Sequence, residues 1–328
     1  MRSFRHINAY TAKKACALLR EYEGRAVLNA GGTDLMGTLK GENLFTYPEA
    51  VINIKTIPGL DTIKETGGTL RIGALTRLVD IVGSDLVKKH CPVLAEAARA
   101  VATPQIRNMA TIGGNLCQDT RCWYYRYPRA LGGPIRCLRK GSGPCLAVRG
   151  DNRYHAILKG KKCFAVCPSD TAVALAALDA DLTVVGPEGR RKIGVAELYG
   201  NLGLTIGKYD MVTEITLRKP PNRACQAFLK YTLRRPVDFA IVSVAYVITV
   251  ADGLCTDVRL VLGAVGPGPV RARSAEEVLK GREINEATAE EAAVAATVGA
   301  KPLSRNAYKI DITRSLVKKA VMAARGRS

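Results

Sequence analysis

Apolar residues recur at helical spacing early in the chain. Between Thr11 and Glu23, the residues Ala12, Ala15, Cys16, Leu18, Leu19 and Tyr22 share one face, and Thr11 stands where an N-cap belongs. This predicts an amphipathic first helix. The pattern then shortens to strand-like runs. Ala26 to Ala30 predicts a strand, Val51-Ile52-Asn53-Ile54 another ended by Pro58-Gly59, and Thr69 to Ile72 a third after the Gly67-Gly68 turn. Thr76 is placed to cap a helix over Arg77 to Val82, and Pro92 suits the first turn of a helix running to Val101.

Between Leu116 and Lys162 the periodicity stops, and Gly, Pro and Arg accumulate. So long an irregular stretch is uncommon unless it is functional or held by something other than a core. Beyond it, Cys163-Phe164-Ala165-Val166 predicts a strand. Ser169 predicts an N-cap with Asp170 in the first turn, Thr171 to Leu178 a helix, and Leu182 to Val185 a strand that Pro187-Glu188-Gly189 turns toward Lys192-Ile193. The strand Glu214 to Leu217 ends at Pro220-Pro221, the main predicted boundary. Phe239 to Val250 and Cys255 to Ala264 then predict a hairpin through Ala251-Asp252-Gly253. Ala275 to Leu279, Ala287 to Val298 and Thr313 to Ala324 predict helices over one face. The expected domains are 1–219, with an insertion at 117–163, and 220–328.

Composition narrows the class. The 328 residues are 47% hydrophobic, which suits a globular chain with real cores. The longest apolar run, Phe239 to Ala251, is too short to span a membrane and is β-branched. Without a secretory h-region after the basic first residues, the expected location is the cytoplasm, where ten cysteines stay reduced. The net charge of +20 calls for an anionic ligand or an acidic protein partner. Nucleic acid is not expected, because the basic residues are scattered and aromatics make up only 5%.

Two glycine pairs carry the first chemistry. Ala30-Gly31-Gly32-Thr33-Asp34-Leu35 follows a strand and leads into a helical turn, and Thr111-Ile112-Gly113-Gly114-Asn115 repeats the motif. Glycines let backbone N–H groups approach a phosphate, and a helix start adds unpaired donors. Two such turns could hold the two phosphates of one dinucleotide. The irregular segment carries the second. Cys122, Cys137, Cys145 and Cys163 are too widely spaced for a zinc ribbon, yet four thiolates could bind either zinc or an iron–sulfur cluster. His155 could replace one thiolate, Cys117 and Cys167 are spare candidates, and Cys16, Cys91, Cys225 and Cys255 read as core residues.

At these residues the chain resembles a known family. The two glycine motifs, followed by Pro168-Ser169-Asp170-Thr171-Ala172, look like the FAD-binding medium subunit of the xanthine dehydrogenase and carbon monoxide dehydrogenase family of molybdenum hydroxylases. Phe228-Leu229-Lys230 through Arg235 and Asp238 looks like that family's approach to its C-terminal domain. Gln118-Asp119-Thr120-Arg121-Cys122 and the cysteine insertion narrow the resemblance to the 4-hydroxybenzoyl-CoA reductase β-subunit type, in which a loop carries an extra [4Fe-4S] cluster. The chain departs from that pattern by extra residues between Cys145 and Cys163, among them Asn152-Arg153-Tyr154-His155.

The resemblance implies an α+β fold. It implies a two-lobed FAD-binding domain of the vanillyl-alcohol-oxidase (PCMH) type with a cysteine-bearing insertion, then a C-terminal three-stranded antiparallel sheet with a helical bundle. It also implies that Leu28, Asn29, Ala30, Gly31, Gly32, Thr33, Asp34 and Leu35 hold the FAD pyrophosphate together with Thr111, Ile112, Gly113, Gly114 and Asn115. Ala102, Gln118, Asp170 and Lys230 would contact the rest of FAD, and Cys122, Cys137, Cys145 and Cys163 would bind the cluster. The expected role is electron transfer between molybdenum and [2Fe-2S] subunits and an external carrier, ferredoxin or NAD. The alternatives are a self-contained NAD(P)H-dependent flavin reductase, for which no second G-x-G-x-x-G follows a strand, and a zinc-stabilised binding module.

Overall fold

Among the described residues, three hydrophobic clusters organise the chain, each built against a sheet of its own. The structure, a computed structural model, describes residues 1–221, 223–234 and 237–325. Arg235 of the C-terminal motif lies outside the described residues.

The first sheet is parallel and contains β1 (Arg5–Asn8), β2 (Ala26–Asn29) and β3 (Ala50–Asn53), with β3 in the middle. Parallel neighbours need crossovers. The α1 crossover (Ala12–Glu21) buries Ala15, Cys16, Leu18 and Leu19, and Thr11 caps it by accepting from the Lys14 N–H. The second crossover contains α2 (Leu35–Gly41), so residues 30–34 are the turn from strand to helix.

The second sheet is antiparallel. Its hairpin β4 (Ile63–Thr66) and β5 (Thr69–Gly73) turns at Gly67 and Gly68, both at positive φ. Helices α3 (Leu78–Gly83), α4 (Asp85–His90), α5 (Pro92–Arg99), α6 (Pro104–Met109) and α7 (Ile112–Cys117) follow. After the cysteine segment come α8 (Asp170–Ala177), β6 (Asp181–Gly186) and β7 (Gly189–Gly194). A short ribbon of β8 (Tyr199–Gly200) and β9 (Gly203–Leu204) leads to β10 (Met211–Arg218), which inserts between β5 and β6.

Three sequence expectations change. Thr76 does not cap α3; Arg77 occupies that position, and the Thr76 hydroxyl donates to the Thr62 carbonyl instead. The second glycine pair is not a loop but the first turn of α7, capped by Thr111. Cys163 to Val166 joins no strand. Its neighbours claim its backbone: the Phe164 carbonyl accepts from Ala156 N–H, and Cys167 N–H donates to the Gly266 carbonyl.

The third sheet contains β11 (Cys225–Tyr231), β12 (Val242–Ala251), β13 (Leu254–Gly263) and a two-residue β14 (Val270–Arg271), one short strand more than expected. Helices α9 (Arg273–Leu279), α10 (Glu286–Ala295) and α11 (Tyr308–Ala324) belong to the same unit. β12 explains its own unbroken apolar run. Val242, Val244, Tyr246 and Ile248 enter the core with these helices, whereas Ala245 and Val247 enter the core that holds α5 and α8 residues. Successive side chains point to opposite faces, and both faces here are covered.

The cysteine segment has only three one-turn helices, Arg129–Leu131, Leu138–Lys140 and Leu146–Val148. Polar side chains fix it to the C-terminal unit. Asn152 Nδ2 donates to the Ala147 carbonyl at 3.0 Å and to Ser304 Oγ at 3.1 Å, while Asn306 Nδ2 and Lys309 Nζ both donate to the His155 carbonyl at 3.1 Å. Lys309 is fully buried, with no carboxylate paired to it among the described residues. Burial pushes its ammonium down to about 7.

The folded chain therefore releases this proton before the unfolded chain does, near 10.4. Below about pH 7 both states are protonated and the burial cost is present in full. Above it, stability rises with pH by up to about 1.4 kcal/mol per unit. Urea midpoints near pH 6.5 and pH 9 should show the native chain gaining on Lys309→Met; a pH-independent difference between the two would refute the assignment.

Candidate functional site

The turn at 30–34 and the first turn of α7 line one cleft between the first two lobes. Within each glycine pair the two positions differ. A Cβ on Gly31 would lie 2.0 Å from the Met109 carbonyl oxygen, and one on Gly113 would lie 2.8 Å from that of Ala74, so protein backbone fills both spaces. Gly32, at φ +72°, and Gly114 are less enclosed: added Cβ atoms would first meet Asn29 Oδ1 at 3.1 Å and Thr111 Oγ1 at 3.0 Å. One glycine of each pair packs the lobe and the other opens the cleft. The N–H groups of Gly31, Gly32 and Thr33 donate to no carbonyl among the described residues. Asn29 Oδ1 is buried there without a partner. Both features fit a ligand that accepts from backbone and donates to a side chain.

Two adjoining cavities, of about 500 and 330 Å³, share Thr33, Asp34, Gly114 and Gln118. Leu28, Asn29, Ala30, Gly31, Gly32, Leu35, Thr111 and Gly113 line the first; Ala102, Asn115, Asp170 and Lys230 line the second. Ile112 lies behind them. Its side chain is fully buried in the core and its N–H donates to the Thr76 carbonyl, so neither is free for a ligand. Leu204, Ile206 and Lys208 also border the first cavity; sequence reasoning missed them because they carry no motif.

Buried polar contacts set the second cavity. Asn115 Oδ1 accepts from Ser169 Oγ and Thr171 Oγ1, each at 2.7 Å, which ties α7 to the first turn of α8. Asp170 begins that turn and accepts from Lys230 Nζ at 2.7 Å, and Lys230 also donates to the Ala100 carbonyl at 2.8 Å. Burial pushes the Asp170 carboxyl up, against the pull of Lys230. Lys230→Met should destabilise the fold by about 3–5 kcal/mol, since it strands a buried carboxylate. Lys230→Met with Asp170→Leu should recover much of that loss in urea titrations; equal costs for the single and double variants would contradict it.

Asp34 faces away from a simple phosphate role. Its carboxylate holds Arg121 at 2.7 Å and Arg126 at 2.8 Å and accepts from Asp119 N–H at 2.9 Å, joining the glycine turn to the cysteine segment. Gln118 is similarly engaged, donating to the Asn115 carbonyl and accepting from Arg121.

Cys122, Cys137, Cys145 and Cys163 border one cavity, together with His155, Leu138, Leu146 and Ala165. Burial pushes the Cys122 thiol up to about 11 and raises that of Cys163, and neighbouring thiols add to both. His155 Nε2 lies 3.3 Å from Cys122 Sγ, and the Ala165 N–H donates to Cys163 Sγ. Cys117 and Cys167 do not border this cavity. Among the described residues, no three His, Cys, Asp or Glu side chains form a group fit to hold a metal ion.

A mixed helix and sheet protein with a glycine-walled cofactor cleft between two lobes is thereby defined. A sequence profile described as the FAD binding domain in molybdopterin dehydrogenase matches residues 2–220, and one for the CO dehydrogenase flavoprotein C-terminal domain matches 227–324. The chain belongs to the FAD-binding medium subunits of the xanthine dehydrogenase and carbon monoxide dehydrogenase family, the flavoprotein components of oxidoreductase complexes.

It is 35% identical over 288 residues to the aldehyde oxidoreductase FAD-binding subunit PaoB of Escherichia coli (strain K12), covering 85% of this chain and 86% of that one. It is 28% identical over 316 residues to the carbon monoxide dehydrogenase medium chain of Hydrogenophaga pseudoflava, covering 95% and 93%. A solved carbon monoxide dehydrogenase from that organism, lacking the Mo-pyranopterin moiety of its cofactor, superposes with a TM-score of 0.80 at 27% identity, over 99% of this chain and 98% of that one. No helix among the described residues is long and apolar enough to cross a membrane.

Proposed function

We propose that this chain is the electron-transfer subunit of a molybdenum hydroxylase, of the 4-hydroxybenzoyl-CoA reductase β-subunit type, and carries both FAD and a [4Fe-4S] cluster. The observation that carries the reading is the pairing of a glycine-walled cleft with a cavity bordered by four thiols, joined through Asp34, Arg121 and Arg126. The open faces at Gly32 and Gly114 and the orphaned Asn29 Oδ1 suit the FAD pyrophosphate and ribose end; Ala102, Asn115, Asp170 and Lys230 suit the flavin end. Lys230, paired with Asp170, would set the charge at the flavin end, where a nearby cation favours the reduced, anionic flavin.

The donor set suits the cluster: Cys122, Cys137, Cys145 and Cys163 around apolar walls, with N–H and imidazole groups aimed at sulfur. When bound, the flavin exchanges two electrons and the cluster one at a time. The domains are 1–219, with the insertion at 117–163, and 220–328. In this reading molybdenum and [2Fe-2S] centres belong to separate subunits; the carbon monoxide dehydrogenase relative is itself named a medium chain, and the basic charge here suits an acidic neighbour or ferredoxin. The location is cytoplasmic, where the ten thiols stay unpaired. Anaerobic isolation with native partners should yield one flavin and one cubane's worth of iron and sulfide per chain. Zinc without sulfide would overturn the cluster, and a colourless complex would overturn both cofactors.

A further inference from the structure

We propose that the cavity between the cysteine segment and the C-terminal sheet binds a quinone, which takes up the electrons of the reduced flavin there. The proposal rests on the FAD reading above. The cavity measures about 450 Å³, a normal size for a small-molecule site. Trp123, Tyr154, Val173, Phe239 and Ile241 give it flat, apolar walls, and the Trp123 ring meets those of Tyr154 and His155 edge to face at 5.6 and 5.8 Å.

Arg121, Ser169, Asp170, Arg234 and Asp238 also border the cavity, and two further polar groups in its lining stand out. His155 and Ser243 are 3% and 1% exposed, and His155 Nδ1 and Ser243 Oγ have no hydrogen-bond partner among the described residues. Such orphans are rare in folded proteins. With Cys122 a cluster thiolate, as proposed above, Nε2 donates to its sulfur and Nδ1 is left as an acceptor. A cavity with aromatic walls, one unpartnered hydroxyl and one unpartnered acceptor suits a flat ring that carries oxygens: Ser243 donates to a quinone carbonyl, and His155 accepts from the hydroquinone hydroxyl.

Position argues the same way. The cavity shares Arg121, Asp170, Asp238 and Phe239 with the flavin end of the cleft, and Cys122 and His155 with the thiol cavity. The quinone gains two electrons and two protons to become the hydroquinone; the reduced flavin loses the same and returns to its oxidised form. Nothing else is consumed.

Trp123 is the chain's only tryptophan, so occupancy can be read from its fluorescence without any electron transfer. In the flavin-loaded full chain, 2-methyl-1,4-naphthoquinone should quench it saturably. Ala240 lines this cavity but not the flavin cleft, and it is partly exposed, so Ala240→Phe fills the space with the fold kept. That variant should weaken saturable quenching at least about tenfold. It should slow reoxidation of the photoreduced flavin by the quinone in parallel, while ferricyanide reoxidises native and variant chains equally. Linear, unsaturable quenching, or quenching and reoxidation unchanged in Ala240→Phe, overturns the site. Saturable quenching in a chain that never binds flavin would instead sink the FAD reading and leave the cavity assigned as a binding site without the electron step.

Discussion

Gly114→Val should empty the chain of FAD and leave it folded. The added side chain enters the cleft between the two glycine turns, where the nearest protein atom to its Cβ is Thr111 Oγ1 at 3.0 Å and the next is Ala30 Cβ at 4.0 Å. That hydroxyl must give way slightly, which is a local cost. Valine also forms helix more readily than glycine, so the thermal midpoint should move by only a few degrees, in line with a change of about 1 kcal/mol or less. The phosphate suffers more. Loss of one or two charge-assisted hydrogen bonds at about 1.5–3 kcal/mol each lowers affinity by a factor on the order of 100 or greater. Flavin-to-protein absorbance after gel filtration, with far-ultraviolet circular dichroism, separates this from unfolding. Gly31→Val is the contrasting case. Its Cβ drives into the Met109 carbonyl, so that chain should lose structure together with flavin. Full flavin content in Gly114→Val would remove the pyrophosphate from this cleft.

Cys163→Ser should abolish the visible absorbance of a cubane cluster, whereas Cys167→Ser should keep it. Cys163 borders the cavity of the four thiols and receives the Ala165 N–H; Cys167 lies outside that cavity, in contact with Tyr199. Iron and acid-labile sulfide per chain give the measurement. Loss of both in Cys167→Ser but not in Cys163→Ser would reassign the fourth ligand, and retention in both would leave only three thiolates required.

Much of this was legible from the chain because local chemistry agreed with the final packing. The Thr11 and Ser169 caps, the Gly67-Gly68 turn and the Ala251-Asp252-Gly253 hairpin each act within a few residues of themselves. What stayed hidden depends on distant partners. β1 and β4 are four residues each and gain their identity from β3 and β5, while Cys163 to Val166 has strand-like residues but finds its hydrogen bonds in irregular neighbours. At the site, residue types picked out two glycine turns that line one cleft and four cysteines that border one cavity. They did not reveal that Ile112 packs behind the cleft, or that Asp34 spends its charge on two arginines of the cysteine segment.

The double service of β12 bears on how such subunits diversify. Alternate side chains of one strand complete two separate interiors, so the Pro220-Pro221 seam divides the sequence without dividing the packing. A chimera joined at that seam must bring residues matching Ala245 and Val247 to the recipient's α5 and α8, besides a lysine for Asp170. Recombination there should therefore succeed chiefly between near relatives, and the two segments should change in concert over evolution.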